Sequence, residues 1–256
     1  WLCCARLFLT AVVRLLGLAI PSVVFVLFQS LTPVVYLTVY FIAPLAALMR
    51  RWWLCGAAAL LIAVHLISVL PAMGSTTPPG WAASRPQLQV VAANVYEYNS
   101  QPDAAARVLL YRDADVMVLN ELTLPLKTAL EDAGVDDEYP FLHTWPLDDE
   151  TRTTEAIYSR FPLKNQTFPR FGVQTFKFAE IEFDDSTIGV LALHVAGPRH
   201  GFGEWETELA DLKEFAESQQ GPTALVGDFN ANRWNPAFRD LLDAGLADVH
   251  ETQGKG

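Results

Sequence analysis

Five polar residues stand at the ends of short apolar runs: Asn94 after 90-VVAA-93, Glu121 after 116-VMVLN-120, His194 after 187-TIGVLAL-193, and Asp228 and Asn230 in 226-VGDFN-230. Acid, amide and imidazole together suit phosphoryl transfer to water. A carboxylate such as Glu121 can hold a hard divalent cation, Mg2+ or alternatively Mn2+. The cation polarises a phosphoryl oxygen and steadies the leaving oxygen. Asn and His side chains donate hydrogen bonds to the oxygens as charge builds there. Asp228 can orient or deprotonate the attacking water.

Each residue taken singly has a plainer explanation. Glu121 is then a solvated strand end, His194 a hydrogen-bonded structural imidazole, and Asp228 the side chain of an Asx turn after a strand. Four separate runs that each deliver such a group at the C-terminal margin favour a site, because layered folds gather their sites at those edges. Other chemistries lack their residues. The chain from Arg85 onward contains no Cys, no HExxH and no closely spaced His set, so a zinc site is not expected. GxGxxG, Walker and GxSxG patterns are absent as well.

The elements that must position these residues alternate between strand and helix. Strands are expected over Gln87–Asn94, Asp115–Glu121, Phe141–Trp145, Thr154–Ser159, Gln174–Phe183, Thr187–Val195 and Thr223–Gly227. The acidic turn 184-DDS-186 joins two of them as a hairpin, which argues against a purely parallel sheet. Helices are expected after a Ser100 cap, over Leu122–Ala133 with Gly134 as its stop, over Glu204–Gln219, where Leu209, Leu212, Phe215 and Ala216 recur at helical spacing, and over Pro236–Leu242 before Gly245. A layered α/β or α+β domain follows.

In this setting the sequence resembles the endonuclease/exonuclease/phosphatase superfamily of metal-dependent phosphoesterases, over about Gln87–Val249. The motifs that carry the resemblance are 90-VVAANVY-96, 118-VLNEL-122, 155-EAIYSRFPL-163, 191-LALHVAGP-198, 226-VGDFNAN-232 and 235-NPAFRDLLDAGLAD-248. The resemblance implies Glu121 as the main magnesium ligand with Asn94 beside it, a phosphate contact from His194, water alignment by Asp228 and phosphate binding by Asn230. Asn120 stands where the family commonly has Gln. The implied fold is a four-layer α/β (α+β) sandwich of two mixed β-sheets, with the site at one sheet edge. The family also carries an Asp-containing strand and a terminal Asp–His pair. Here 26 residues follow Asn230, and His250 in 249-VHETQGKG-256 is a poor substitute. The chain starts at Trp1, so truncation at both ends is expected, with the complete protein active and the 256-residue chain impaired.

The N-terminal third differs in composition. Before Arg85 there are four arginines and no acid, a charge of +4; the other 14 Lys and Arg and all 29 acids follow, giving −15. Apolar runs over 7–28, 31–49 and 52–70 predict a bundle of three transmembrane helices preceding the sandwich, forming an anchor over 1–73. A Gly/Pro/Ser-rich linker over 74–86 separates this anchor from the domain at 87–256. Arg6, Arg50 and Arg51 place the N-terminus in the cytoplasm and the domain on the extracytoplasmic side of a multi-pass plasma-membrane protein. Arg14 is expected to snorkel, and His65 has no visible partner in its span.

A domain at −15 repels polyanions, and no Lys/Arg run marks a nucleic-acid footprint. Apolar spans ahead of such a domain resemble membrane-bound relatives linked to glycopeptide resistance, which implies a polyprenyl pyrophosphate substrate. The expected partners are therefore the lipid bilayer and a small or lipid-linked phosphate or pyrophosphate ester, with nucleic acid less favoured. An extracytoplasmic nuclease or general phosphodiesterase, and a catalytically inactive tethered binding module, stay open. Arg152, His200, Trp205 and Trp234 are secondary candidates for substrate contact.

Overall fold

Runs that are apolar on every position form helices or fully buried strands, and those that alternate form strands with one buried face. The structure, a computed structural model, describes residues 2–15, 20, 22–75, 86–148 and 152–252. Two units are distinguished. One comprises Trp1–Ala83, Gly197–Lys213 and Ala231–Gly256, and the other Ser84–Ala196 and Glu214–Asn230.

The first unit begins with helices α1 (Leu2–Leu15), α2 (Val23–Ser30), α3 (Thr32–Val35), α4 (Leu37–Leu48) and α5 (Trp52–Val69), the last continued by a 3-10 turn, Leu70–Met73. Cys4, Leu7, Ala11, Tyr36, Val39 and Leu61 form its core. The expected three-helix transmembrane bundle is not found among the described residues. Among the described residues one helix, Trp52–Met73 at 22 residues, is long and apolar enough to cross a membrane. The run over 31–49 qualifies only as the pair Val23–Ser30 and Thr32–Leu48, bent by 72°.

The bend has a local cause. Ser30 Oγ donates to the Val26 carbonyl at 3.0 Å and Thr32 Oγ1 to the Gln29 carbonyl at 2.6 Å, while Pro33 brings no N–H of its own. The first expected span, 7–28, crosses positions 16–19 and 21, which lie outside the described residues, as does most of the 74–86 linker and the Arg14 side chain. The multi-pass topology, with a cytoplasmic N-terminus and an extracytoplasmic domain, depended on three spans and falls with them. His65 does have partners: its ring stacks on Tyr36 at 5.7 Å, and Nδ1 lies 3.1 Å from the Tyr40 hydroxyl.

The rest of the chain runs β1 (Val90–Asn94), α6 (Pro102–Tyr111), β2 (Val116–Leu122), α7 (Leu124–Asp132), α8 (Val135–Glu138), β3 (Phe141–Thr144), β4 (Thr154–Ser159), β5 (Leu163–Thr167), β6 (Arg170–Phe171), β7 (Gln174–Thr175), β8 (Lys177–Phe183), β9 (Ser186–His194), α9 (Phe202–Ser218), β10 (Thr223–Asp228), α10 (Pro236–Leu242) and α11 (Val249–Thr252). Helix α6 starts later than expected. Gln101 is its N-cap with Pro102 at its first turn, and no side chain caps it. Thr123 does cap α7, accepting from the Leu126 N–H.

Two four-stranded sheets form, in the orders β1-β2-β4-β3 and β10-β9-β8-β5. Both are mixed. Strands β1 and β2 are parallel, as are β9 and β10, and the other neighbours are antiparallel. Val116, Val118 and Ile157 of the first sheet meet Ala179, Ile181, Val190 and Ala192 of the second in one buried cluster. On the other face of the first sheet, Met117, Leu119 and Tyr158 pack with Leu109 of α6 and Leu126 and Leu130 of α7. Phe215, near the end of α9, packs edge-on against Phe178 of β8.

His143 of β3 is buried, with Nε2 3.0 Å from the Thr167 carbonyl and its ring against Phe168. Burial pushes its pKa below the ordinary 6.5, opposed by the Thr167 hydrogen bond. The unfolded chain therefore takes up a proton that the folded chain refuses. His143 supports the fold above about pH 6.5, and that support is lost as pH falls from there through the lower pKa of the folded state. The urea midpoint is expected to drop between pH 7 and pH 5, and His143→Gln to flatten that part of the profile.

Candidate active site

A run of period two sends successive side chains to opposite faces, so β2 alone would place Asn120 and Glu121 on opposite sides. A bulge changes this. Strand β2 pairs Leu119 with Ala156 and Leu122 with Thr154, three steps against two, and Glu121 lies in the left-handed region at φ 58°. Such an extra residue re-aims a side chain beside a site. Leu119 and Leu122 thus both join the core under α7, Asn120 stays in phase with Val116 and Val118, and Glu121 is turned out at the strand end.

Parallel pairing aligns the other ends. Asn94 of β1 lies opposite Asn120 of β2, and Asp228 of β10 opposite His194 of β9. Asn94 Nδ2 donates to Glu121 Oε1 at 2.7 Å and to Asp228 Oδ2 at 3.2 Å. The Glu97 N–H donates to Glu121 Oε2 at 2.8 Å, and the Tyr96 N–H to Asn94 Oδ1 at 3.0 Å. His194 Nε2 stands 3.8 Å from Glu121 Oε1. Asn94, Glu121, His194 and Asp228 are therefore gathered at one edge.

Asn230 is adjacent but differently engaged. Its N–H donates to Asp228 Oδ1 at 2.9 Å, the Asx turn that sequence alone had left open, and its Nδ2 donates to the Val195 carbonyl at 2.8 Å. Asp228 thus both closes that turn and reaches Asn94.

Two carboxylates share one amide donor here, and among the described residues neither is paired with Lys or Arg. Among the described residues no group of three or more His, Cys, Asp or Glu is arranged to hold a metal ion. Magnesium needs fewer, since it keeps several waters and takes one or two carboxylates. Oxygen donors at Glu121 and Asp228, with no Lys or Arg paired to them among the described residues, fit such an ion.

Three contributors escaped the sequence reading. Glu97 supplies a backbone N–H, and its carboxylate holds Arg152 at 2.6 Å while that guanidinium lies over the Tyr98 ring at 5.1 Å. Lys177 is buried in an ion pair with Glu155. Its signal was phase: Lys177 alternates in step with Ala179 and Ile181, so a charge faces the core and requires a partner. Gly227 is the third, and a glycine inside a strand marks a close backbone approach. Among the secondary candidates, Trp205 and Trp234 are buried. His200 sits in a turn closed by its own N–H on the Gly197 carbonyl. His250 is exposed, 3.6 Å from the Asp248 carboxylate.

A cleft of about 660 Å³ starts at His194 and is lined by Trp145, Thr154, Glu155, Gln174 and Lys177. Removing one partner of the buried pair strands the other, so Lys177→Met is expected to cost about 3 kcal/mol. The double variant Lys177→Met/Glu155→Leu should recover most of that loss. Urea unfolding of the three proteins checks both statements.

A model of the Endonuclease/Exonuclease/phosphatase family matches residues 91–256. None of the curated proteins compared matches the chain. Among solved structures, humanized D. rerio TDP2 carrying 14 mutations aligns with a TM-score of 0.50 at 15% identity, over 63% of this chain and 72% of that one. Beta toxin 275-280 from Staphylococcus aureus gives 0.48 at 20%, over 64% and 73%. Sphingomyelinase C from Streptomyces griseocarneus gives 0.48 at 16%, over 64% and 72%. At 15% identity the likeness to the first of these is one of fold alone.

Proposed function

We propose that this chain, which belongs to the endonuclease/exonuclease/phosphatase family, hydrolyses a phosphoester or pyrophosphate with the help of a divalent cation. The observation that carries the reading is the convergence of Asn94, Glu121, His194 and Asp228 from four strand ends, with two carboxylates sharing the Asn94 amide. Mg2+, or Mn2+ in its place, held by Glu121 and Asn94, would polarise a phosphoryl oxygen and steady the leaving oxygen. Asp228 orients the attacking water and takes its proton. His194 donates to a phosphoryl oxygen as charge accumulates on it. Asn230 fixes the turn that presents Asp228, with one N–H of its Nδ2 committed to the Val195 carbonyl. The cleft beside His194 has room for the part of the substrate beyond the phosphate.

The substrate class favoured is a lipid-linked phosphate or pyrophosphate, with a bilayer as partner. Two features support it: a charge of −15 from Arg85 onward, which opposes a polyanionic strand, and the apolar helix Trp52–Met73. The test is product release from undecaprenyl pyrophosphate and from single-stranded DNA in parallel, with and without EDTA. Metal-dependent turnover of the lipid alone is the expected result. Cleavage of DNA without lipid turnover makes the protein a nuclease, and turnover of neither favours a binding module.

A further inference from the structure

Asn120 is fully buried, carries no charge, and lies between the two sheets rather than in the open site. Its Nδ2 donates to the Leu193 carbonyl of β9 at 2.7 Å. Its Oδ1 accepts from the Asp228 N–H of β10 at 3.1 Å. Its own carbonyl accepts from the Val95 N–H, just beyond β1, at 3.0 Å. One residue thus touches the backbone beside three of the four polar strand ends, and it is bonded covalently to the fourth, Glu121.

The two side-chain bonds are cross-sheet, and the Val95 contact lies within the first sheet. Below them the sheets meet through Val116, Val118, Val190 and Ala192, whose apolar contacts are short-ranged but not directional. Hydrogen bonds from a planar amide fix both distance and angle. Asn120 occupies the last inward position of β2, where that apolar cluster ends and the site begins. The fit is close enough that a Cβ placed on Gly227 would stand 3.0 Å from Asn120 Oδ1.

We infer that Asn120 is a positioning residue, a polar latch that sets the Asp228 and His194 ends of the second sheet against Glu121 of the first. It touches no substrate. Its effect on hydrolysis rests on the function proposed above, whereas its effect on the geometry of Asp228 does not. Asn120→Ala removes both side-chain hydrogen bonds and frees the Asp228 N–H. Asn120→Gln keeps the amide on a longer arm. Val118→Ala serves as control, since it opens the same inter-sheet core without touching a strand end.

The experiment uses the full chain and follows three readouts: amide hydrogen exchange, Mg2+ titration by calorimetry, and metal-dependent phosphate release. In Asn120→Ala the Asp228 amide should lose at least tenfold protection while Val118 and Val190 keep theirs. Mg2+ affinity should fall at least tenfold and kcat about a hundredfold, with KM changing less. Asn120→Gln should restore both to within tenfold of the parent, and Val118→Ala should lower the unfolding midpoint without these losses. Equal loss of affinity and rate in Asn120→Ala and Val118→Ala overturns the latch. If the parent neither binds Mg2+ nor releases phosphate, the proposed function fails. Exchange then decides the latch alone: selective loss at Asp228 supports it, and retained protection refutes it.

Discussion

Glu121→Gln is expected to abolish the metal-dependent hydrolysis proposed above and to leave the fold standing. The substitution keeps the shape of the side chain and deletes its charge. Both carboxylate oxygens accept from donors, Asn94 Nδ2 and the Glu97 N–H, so the new NH2 group must face one of them. That costs about 1 kcal/mol of stability, too little to unfold a domain with two sheets and a continuous inter-sheet core. The loss for hydrolysis is much larger. A bound cation contributes several kcal/mol to a phosphoryl-transfer transition state, and if Glu121 is its anionic ligand, as proposed, the rate should fall about 10³-fold. Rate against Mg2+ concentration, with thermal unfolding alongside, measures both. An unchanged rate would contradict the assignment of Glu121 and return the protein to the class of binding modules.

Gly227→Ala is expected to be strongly damaging. Gly227 sits at φ 141°, where a side chain is strained whatever the space. Its Cβ would overlap the Leu193 carbonyl oxygen, the atom that also accepts from Asn120 Nδ2. Backbone cannot yield as a flexible side chain does, so β9 and β10 must separate where they deliver His194 and Asp228. The expected cost is about 4 kcal/mol, read as a shift in the urea midpoint, with hydrolysis lost even where the fold survives. Gly203, in the first turn of α9 with nothing within 4 Å of its Cβ position, supplies a control: Gly203→Ala should leave the midpoint unchanged or slightly raised.

Strand ends were legible because each pairs an apolar run with a polar stop. Thr154–Ser159 and Pro236–Leu242 match residue for residue, and the hairpin around 184-DDS-186 forms between β8 and β9. Several features could not be read. Gln174–Thr175 leaves β8 to pair with Arg170–Phe171, a switch of partner that no local pattern encodes. The phase of β2 slips at Glu121 because one residue enters the left-handed region, and periodicity carries no mark of a bulge. Asn120 read as a mild departure from a family motif, and only the approach of Leu193 and Asp228 gives it a role. The N-terminal third misled because hydropathy counts residues and ignores where a helix bends. Ser30, Thr32 and Pro33 are ordinary in composition, yet the helix pair they interrupt turns by 72°.

The left-handed residues at the site edge set heat tolerance against hydrolysis. Tyr96 at φ 61°, Glu121 at 58° and Asn230 at 45° all occupy a region that costs an L-residue about 1–2 kcal/mol, less for Asn. The inter-sheet core holds no such strain to relieve. A library screened for melting temperature alone would therefore accept a gain at Tyr96, an exposed ring whose replacement by Gly relaxes the backbone, as readily as one at Asp113 or Asp184. Such a screen would drift towards well-folded proteins whose two sheets are intact and whose carboxylates no longer meet.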